Sequence, residues 1–148
     1  MTVPARATSS PYAELMLCLP ADWPLSTQAY EVVTGQWPVW LLKMVARLPH
    51  AYQTWMAVGH SVPNGDPAQP FTPEVPFVGA VVAPMLRCEA AARIIDVRPD
   101  KQISLLALIP LHREELDLKL AQGAQALFAA FDRAGVTELV DPQRPSTV

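Results

Sequence analysis

Sixteen prolines in 148 residues set the first limit on how this chain folds. That share is about twice the roughly 5% of average usage. Each proline fixes φ and removes a backbone donor, so it ends or bends a regular element. Pro20, Pro24, Pro38, Pro49, Pro63, Pro84, Pro99, Pro110 and Pro142 fall between apolar runs and form no polyproline tract. Short elements joined by stiff connections are therefore expected. With no internal repeat and no flexible linker, one domain over residues 1–148 is expected, with 1–11 a loose arm and 142–148 a tail.

Apolar residues make up 51% and charged residues 17%, the latter below the roughly 25% of an average globular protein. This composition excludes disorder and points to more buried or contact surface than a monomer of this size usually has. A net charge of −3 with no Lys/Arg block leaves no basic footprint for nucleic acid. The longest apolar runs, Phe77–Leu86 and Ile103–Leu111, are broken by Pro84 and Pro110. Both fall far short of the ~20 residues that span a bilayer. "MTVPARATSS" holds no apolar signal-peptide core, so a cytoplasmic protein without membrane contact is expected. Cys18 and Cys88 lack metal spacing and are expected to be reduced core thiols.

"YAELMLCL", Tyr12–Leu19, suits a buried strand stopped by Pro20. The connection at 20–36 has room for one short helix. "TWMAVGHSV", Thr54–Val62, suits a strand with Met56, Val58, His60 and Val62 on one face. "PFVGAVVAP", Pro76–Pro84, suits another. Ile94–Val97, a turn at Pro99-Asp100-Lys101 and Ile103–Ile109 form a hairpin. The last of these strands is apolar on both faces and so central. "PLHREELDLKLAQGAQALFAAFDRAG" is a long helical pattern that Gly123 is placed to split and Gly135 to end. Val136–Val140 reads as a final strand. The fold class is α+β, a mixed or mostly antiparallel sheet packed with two main helices.

"WPVWLLKMVARLPH" carries the clearest helix, with Pro38 in its first turn and Pro49 near its end. At a helical period of about 3.6 residues, Gln36, Trp40, Lys43 and Arg47 form one narrow polar stripe. Trp40 in that stripe either packs over neighbouring side chains or under another segment, or it anchors a partner.

"GHSVPNGDPAQPFTPEVPF", residues 59–77, mixes chemistry-bearing and turn-forming residues. A nucleophilic site needs Ser or Cys within reach of an oriented base. His60 and Ser61 are adjacent, and on a strand they point to opposite faces. Asp66 is placed to orient His60 across the turn, but no nucleophile is identified by that pairing. His50, His60 and the His112/Glu115 pair do not add up to a zinc ligand set. No phosphate-cradling glycine motif is present, so no cofactor and no metal are expected. Pro63-Asn64-Gly65-Asp66 has turn chemistry, and Pro67, Pro70, Pro73 and Pro76 stiffen the path to the next strand. The loop is either a fixed connection or part of a preorganised recognition rim.

"YAELMLCLPADWP", "WPVWLLKMVARLPH", "TWMAVGHSVPNGDPAQPF" and "ISLLALIPLHREELDLKLAQGAQALFAAFDRAGVTELVDPQRP" together resemble bacterial members of the suppressor-of-fused family, over about Tyr12 to Pro145. The resemblance implies an α/β domain without established catalysis. Animal relatives hold a transcription-factor peptide as an added strand in a cleft beside a second domain. Some bacterial relatives are regarded as immunity proteins that neutralise polymorphic toxins. Two departures stand out. Bacterial members usually carry a further helix and strand before "YAEL", and this chain is expected to lack them, leaving an apolar edge uncovered. Animal members place an Asp before the residue matching His60, where this chain has Gly59.

The expectation is a non-enzymatic protein-binding module of suppressor-of-fused type, with toxin immunity as its specific form. Its partner contacts are expected at Trp40, Arg47, Tyr52, Trp55, His60, Asn64 and Asp66. Self-association through an uncovered sheet edge is the other interaction expected. The alternative is a small hydrolase using His60 and Asp66.

Overall fold

The computed structural model describes residues 1, 3–4, 11–24 and 33–148. In chain order its elements are β1 (Tyr12–Met16), α1 (Val33–Ala51), β2 (Ser61–Pro63), β3 (Gly79–Pro84), a short 3-10 turn (Ala90–Arg93), β4 (Ile94–Arg98), β5 (Lys101–Leu111), α2 (Arg113–Gln122) and α3 (Ala124–Ala134). The sheet is mixed and the fold is α+β. β1 runs parallel to β5, and the other pairs are antiparallel. The order is β1-β5-β3-β2, with β4 also on β5.

β5 is central, as its uninterrupted apolar run implies. β1 pairs with it from Tyr12↔Ile103 to Met16↔Ala107. β3 pairs with it from Gly79↔Leu111 to Pro84↔Leu106. Strand alternation then divides the core in two. Leu106 and Leu108 with Ala80 and Val82 meet Trp37, Leu41 and Val45 of α1. Ile109 and Leu111 with Val81 and Ala83 meet Leu116 of α2 and Leu127 and Phe131 of α3. So α1 covers one face, and the α2–α3 pair covers the other.

Gly123 does divide the long helical pattern: its φ of 86° lies where only glycine is relaxed, and α2 stops there. Other expectations shift. α1 starts at Val33, so Pro38 sits inside it rather than in its first turn. The short helix expected in the 20–36 connection lies largely outside the described residues. The strand expected at Thr54–Val62 shrinks to Ser61–Pro63. Gly59, with a φ of 89°, and a turn from the His60 N–H to the Ala57 carbonyl at 3.1 Å break the alternation before it. Val136–Val140 is not a strand. Among the described residues its one strand-type pairing is the isolated Cys18↔Leu139 bridge, while Val140 packs into the core with Leu106 and Leu108. The reason is Glu138, which is buried and turns its carboxylate onto the Leu86 and Arg87 N–H groups at 3.2 and 2.9 Å. Cys18 and Cys88 are free thiols and only half-buried. Burial first, and the Glu138 charge second, push the Cys18 thiol up.

The C-terminal residues close the α2–α3 side. Glu115, fully buried, accepts the His112 N–H at 2.9 Å at the start of α2. Arg144 meets its carboxylate through two nitrogens, at 2.6 and 2.7 Å. The Thr147 N–H adds a third partner at 3.1 Å. The Arg144 guanidinium also lies over Phe77 and Phe131, at 5.1 and 5.6 Å from the ring centroids. Burial alone would raise the Glu115 carboxyl. The Arg144 hydrogen bonds and charge, with the His112 and Thr147 N–H groups, outweigh it and hold the carboxyl below its ordinary value.

Removing one member of a buried pair leaves the other charged and unsolvated, at a cost of about 3–5 kcal/mol. Arg144→Met is expected to lose about that much in chemical denaturation, and Arg144→Met with Glu115→Leu to lose distinctly less. The wild-type contribution is present above the unfolded carboxylate range, near pH 4, and is lost as pH falls through the lower folded value. Acid titration of the two proteins by circular dichroism checks this sign.

Candidate partner-binding site

β2 is an outer strand, with β3 on one side and, among the described residues, no strand on the other. Four of the seven expected contact residues flank it. Trp55 and His60 precede it, with their rings edge-to-face at 4.6 Å. Asn64 and Asp66 come after it.

Gly59 positions the first pair. Its N–H bonds the Val82 carbonyl at 2.8 Å, and the Val82 N–H returns to the His60 carbonyl at 2.8 Å. The chain thus keeps contact with β3 through a bend that needs positive φ. A Cβ at Gly59 would also stand 3.0 Å from that of Ala124 at the start of α3. His60 lies toward α2, where Lys119 acts on it. Burial chiefly, then the Lys119 charge, lower its pKa, and a hydrogen bond with the Trp55 backbone opposes them. Asp66 is exposed, in the loop that leaves β2.

Asn64 organises the loop that leaves β2. Its side-chain amide donates to the Gln69 and Pro70 carbonyls at 2.8 and 3.2 Å. Its carbonyl accepts the Gln69 N–H, and its own N–H reaches Val78, both at 2.8 Å. Arg113 donates to the Ala68 carbonyl from α2. Phe71 is pinned by its N–H to the Phe77 carbonyl at 3.0 Å.

Phe71 also joins this loop to α1. It stacks on buried Trp37 at 5.3 Å and meets Trp40 edge-on at 6.2 Å. Trp40 is still 51% exposed. So Trp40 packs against another segment and presents a face to solvent. Arg47 and Tyr52 are exposed farther along α1 and just past its end. The seven residues therefore divide: Trp55 touches His60, Asn64 and Asp66 share the loop, Trp40 borders that loop through Phe71, and Arg47 and Tyr52 stand apart. Phe71 and Lys119 are the site neighbours that sequence reasoning missed. Phe71 had a signal, as an aromatic among loop prolines. Lys119 had none, because only the tertiary fold brings α2 to His60.

This arrangement offers an edge backbone, a rigid aromatic–imidazole pair at one end and a pinned loop at the other. Among the described residues, no group of three His, Cys, Asp or Glu is placed to hold a metal ion. No helix there is long and apolar enough to cross a membrane.

The suppressor of fused protein family model matches residues 1–145. The chain belongs to the suppressor-of-fused family. Among solved structures, a suppressor-of-fused homolog from Neisseria gonorrhoeae superposes with a TM-score of 0.60 at 21% identity, over 76% of this chain and 57% of that one. The Sufu–Fu complex gives 0.59 at 14% identity, over 76% and 46%. Drosophila Suppressor of Fused gives 0.59 at 13%, over 76% and 25%. These likenesses concern the fold, and the chain spans 57% or less of the length of each of these structures. Among curated proteins, none matches the chain.

Two measurements check the geometry. Proton NMR of His60 is expected to show a titration midpoint below the ordinary histidine value of about 6.5, and Lys119→Met to raise it part of the way back. Because the folded value is the lower one, the unfolded chain takes up the proton first, and stability falls as pH drops from about 6.5 through the folded midpoint. Gly59→Ala is expected to cost about 1–3 kcal/mol, from positive φ and the Ala124 contact together.

Proposed function

We propose that this chain is a non-enzymatic, cytoplasmic protein-binding module that docks an extended segment of a partner protein along β2. The observation that carries the proposal is the open edge of β2, framed by the Trp55–His60 pair and the pinned loop. An edge strand supplies main-chain hydrogen bonds, and its flanking side chains supply selectivity. Trp55 and His60 act as the rigid anchor, Asp66 as an exposed acidic contact, and Asn64 as the group that shapes the rim. Trp40 extends the surface across Phe71, and Arg47 and Tyr52 continue it along α1. Membership of the suppressor-of-fused family and the solved Sufu–Fu complex, in which a relative of the same fold engages a protein, support this role. Toxin neutralisation in a bacterial immunity pair is the specific form proposed, with the toxin supplying the docked segment.

The wild type and a Trp40→Ala/Trp55→Ala variant serve as baits in a lysate of the source organism, and any captured protein is then purified and titrated against both. Loss of two aromatic anchors is expected to weaken binding by about thirtyfold or more, the scale of hot-spot truncation. Unchanged affinity in a folded double variant places the interface elsewhere. Light scattering of the wild type alone separates partner binding from self-association.

A further inference from the structure

The two faces of the sheet are not covered alike. On the α1 side, Ala13 and Leu15 of β1 pack into the core with Leu106 and Leu108. On the other side, the core under α2 and α3 takes Val81 and Ala83 of β3 and only the last part of β5, Ile109 and Leu111. Among the described residues it takes nothing from β1, β4 or the first half of β5. Register and alternation set Tyr12 and Glu14 of β1, Ile103 and Leu105 of β5 and Ile95 of β4 together on that bare part. Tyr12, Glu14 and Ile95 are exposed, and Ile103 and Leu105 are only half-buried although β5 is central. The charges of this face follow a pattern. Lys101 lies on it, its Nζ 4.6 Å from the Tyr12 ring centroid. Tyr12 pairs with Ile103 in parallel register, with Glu14 two residues after Tyr12 and Lys101 two residues before Ile103. Glu14 and Lys101 therefore lie equally far from the Tyr12–Ile103 pair, in opposite directions. Arg98, which pairs with Lys101 beside the turn, is answered within the chain by Asp100 at 3.6 Å. Asp96 belongs to the opposite face, where it accepts from the Gln102 side chain at 2.7 Å.

We propose that this bare face is a homodimer interface, on which a second copy of this chain packs the same face of its own sheet. A twofold axis lying between the sheets, over the Tyr12–Ile103 pair, brings Glu14 of each copy to Lys101 of the other. Tyr12 and Ile103 then sit near the axis and meet their counterparts, and Ile95 and Leu105 are enclosed between the two sheets. The charge pattern is what selects this occupant. An unrelated protein would need a base and an acid at the same separation on an apolar surface, whereas a second copy carries both by symmetry. The face is three strands wide, small for a permanent interface, so the dimer is expected to dissociate on dilution. β3 lies between this face and β2, so the dimer leaves β2 open and does not depend on docking there.

The test is sedimentation velocity of the whole chain at concentrations up to about 100 μM, where a weak specific dimer is populated. The wild type is expected to show a monomer–dimer equilibrium. Glu14→Lys alone, or Lys101→Glu alone, sets like charges together at both symmetric contacts and is expected to weaken the dimer by about tenfold or more. Mixing the two single variants is expected to restore association, because every contact between one of each joins opposite charges. The double variant Glu14→Lys/Lys101→Glu is expected to dimerise on its own, close to the wild type. Recovery on mixing also shows that the single variants are folded, and circular dichroism of each checks this separately. A wild type that stays monomeric up to that concentration overturns the proposal. So does a dimer that neither single variant weakens, which places self-association at a strand edge or another surface. Single variants that are folded and monomeric but fail to associate on mixing overturn it as well.

Discussion

The register of β5 is the constraint on which the other elements depend. Its apolar half meets β3 on one edge, β1 runs along the other as far as Ala107, and the two faces between them carry the whole packed core. Shifting β5 by one residue would exchange Leu106 and Leu108 for Ile109 and Leu111 beneath α1 and reverse both cores at once. Pro110 fits into this strand for a specific reason. A residue's N and C=O in a strand point to the same side. The Pro110 carbonyl accepts from Arg144 at 2.7 Å, so its nitrogen also faces away from β3, beyond the point where β1 has ended. The missing donor therefore costs no ladder bond. The next carbonyl, at Leu111, turns back and accepts the Val78 N–H at 2.8 Å. The same arginine neutralises buried Glu115, so the end of β5, the start of α2 and the C-terminal residues are fixed through one side chain.

Much of this was legible in the sequence because it rests on local pattern. The double-sided apolar run at Ile103–Ile109 implied a central strand, and the hairpin before it was marked by Pro99-Asp100-Lys101. Gly123 and Gly135 divided and ended the helical pattern. The failures share a cause. Thr54–Val62 has the alternation of a strand, but Gly59 bends there at positive φ, and a Cβ on it would crowd Ala124, which is remote in sequence. Val136–Val140 has strand-like residues, but Glu138 is recruited to cap Leu86 and Arg87. In the sequence, His112/Glu115 stood out only as a pair too small to make a zinc ligand set. Its arginine lies 29 residues on, and no periodicity connects them. Tertiary demands that pull single polar side chains inward leave no mark on local pattern.

The candidate site shows the same division. The polar stripe on α1 located exposed Trp40, and the turn chemistry located the loop, but neither shows that Phe71 couples them. The sequence placed His60 beside Ser61 and, across the turn, Asp66. In the fold, His60 answers to Trp55 and Lys119.

The open edges of this sheet are not equivalent, and their differences argue for where partners bind. β4 exposes Ile94, Ile95 and Val97, but an irregularity between Asp96 and Arg98 disrupts its ladder, which is a common way to blunt an edge against unwanted pairing. β2 is three residues long and ends in a proline. Such an edge supports few main-chain bonds, so selectivity there must come from the groups at its ends. β1 has neither device. It carries no proline within Tyr12–Met16, its pairing with β5 is regular, and an apolar wall and opposed charges lie beside it. Among the described residues no strand covers this edge, and a regular edge of that kind is an aggregation hazard unless something occupies it.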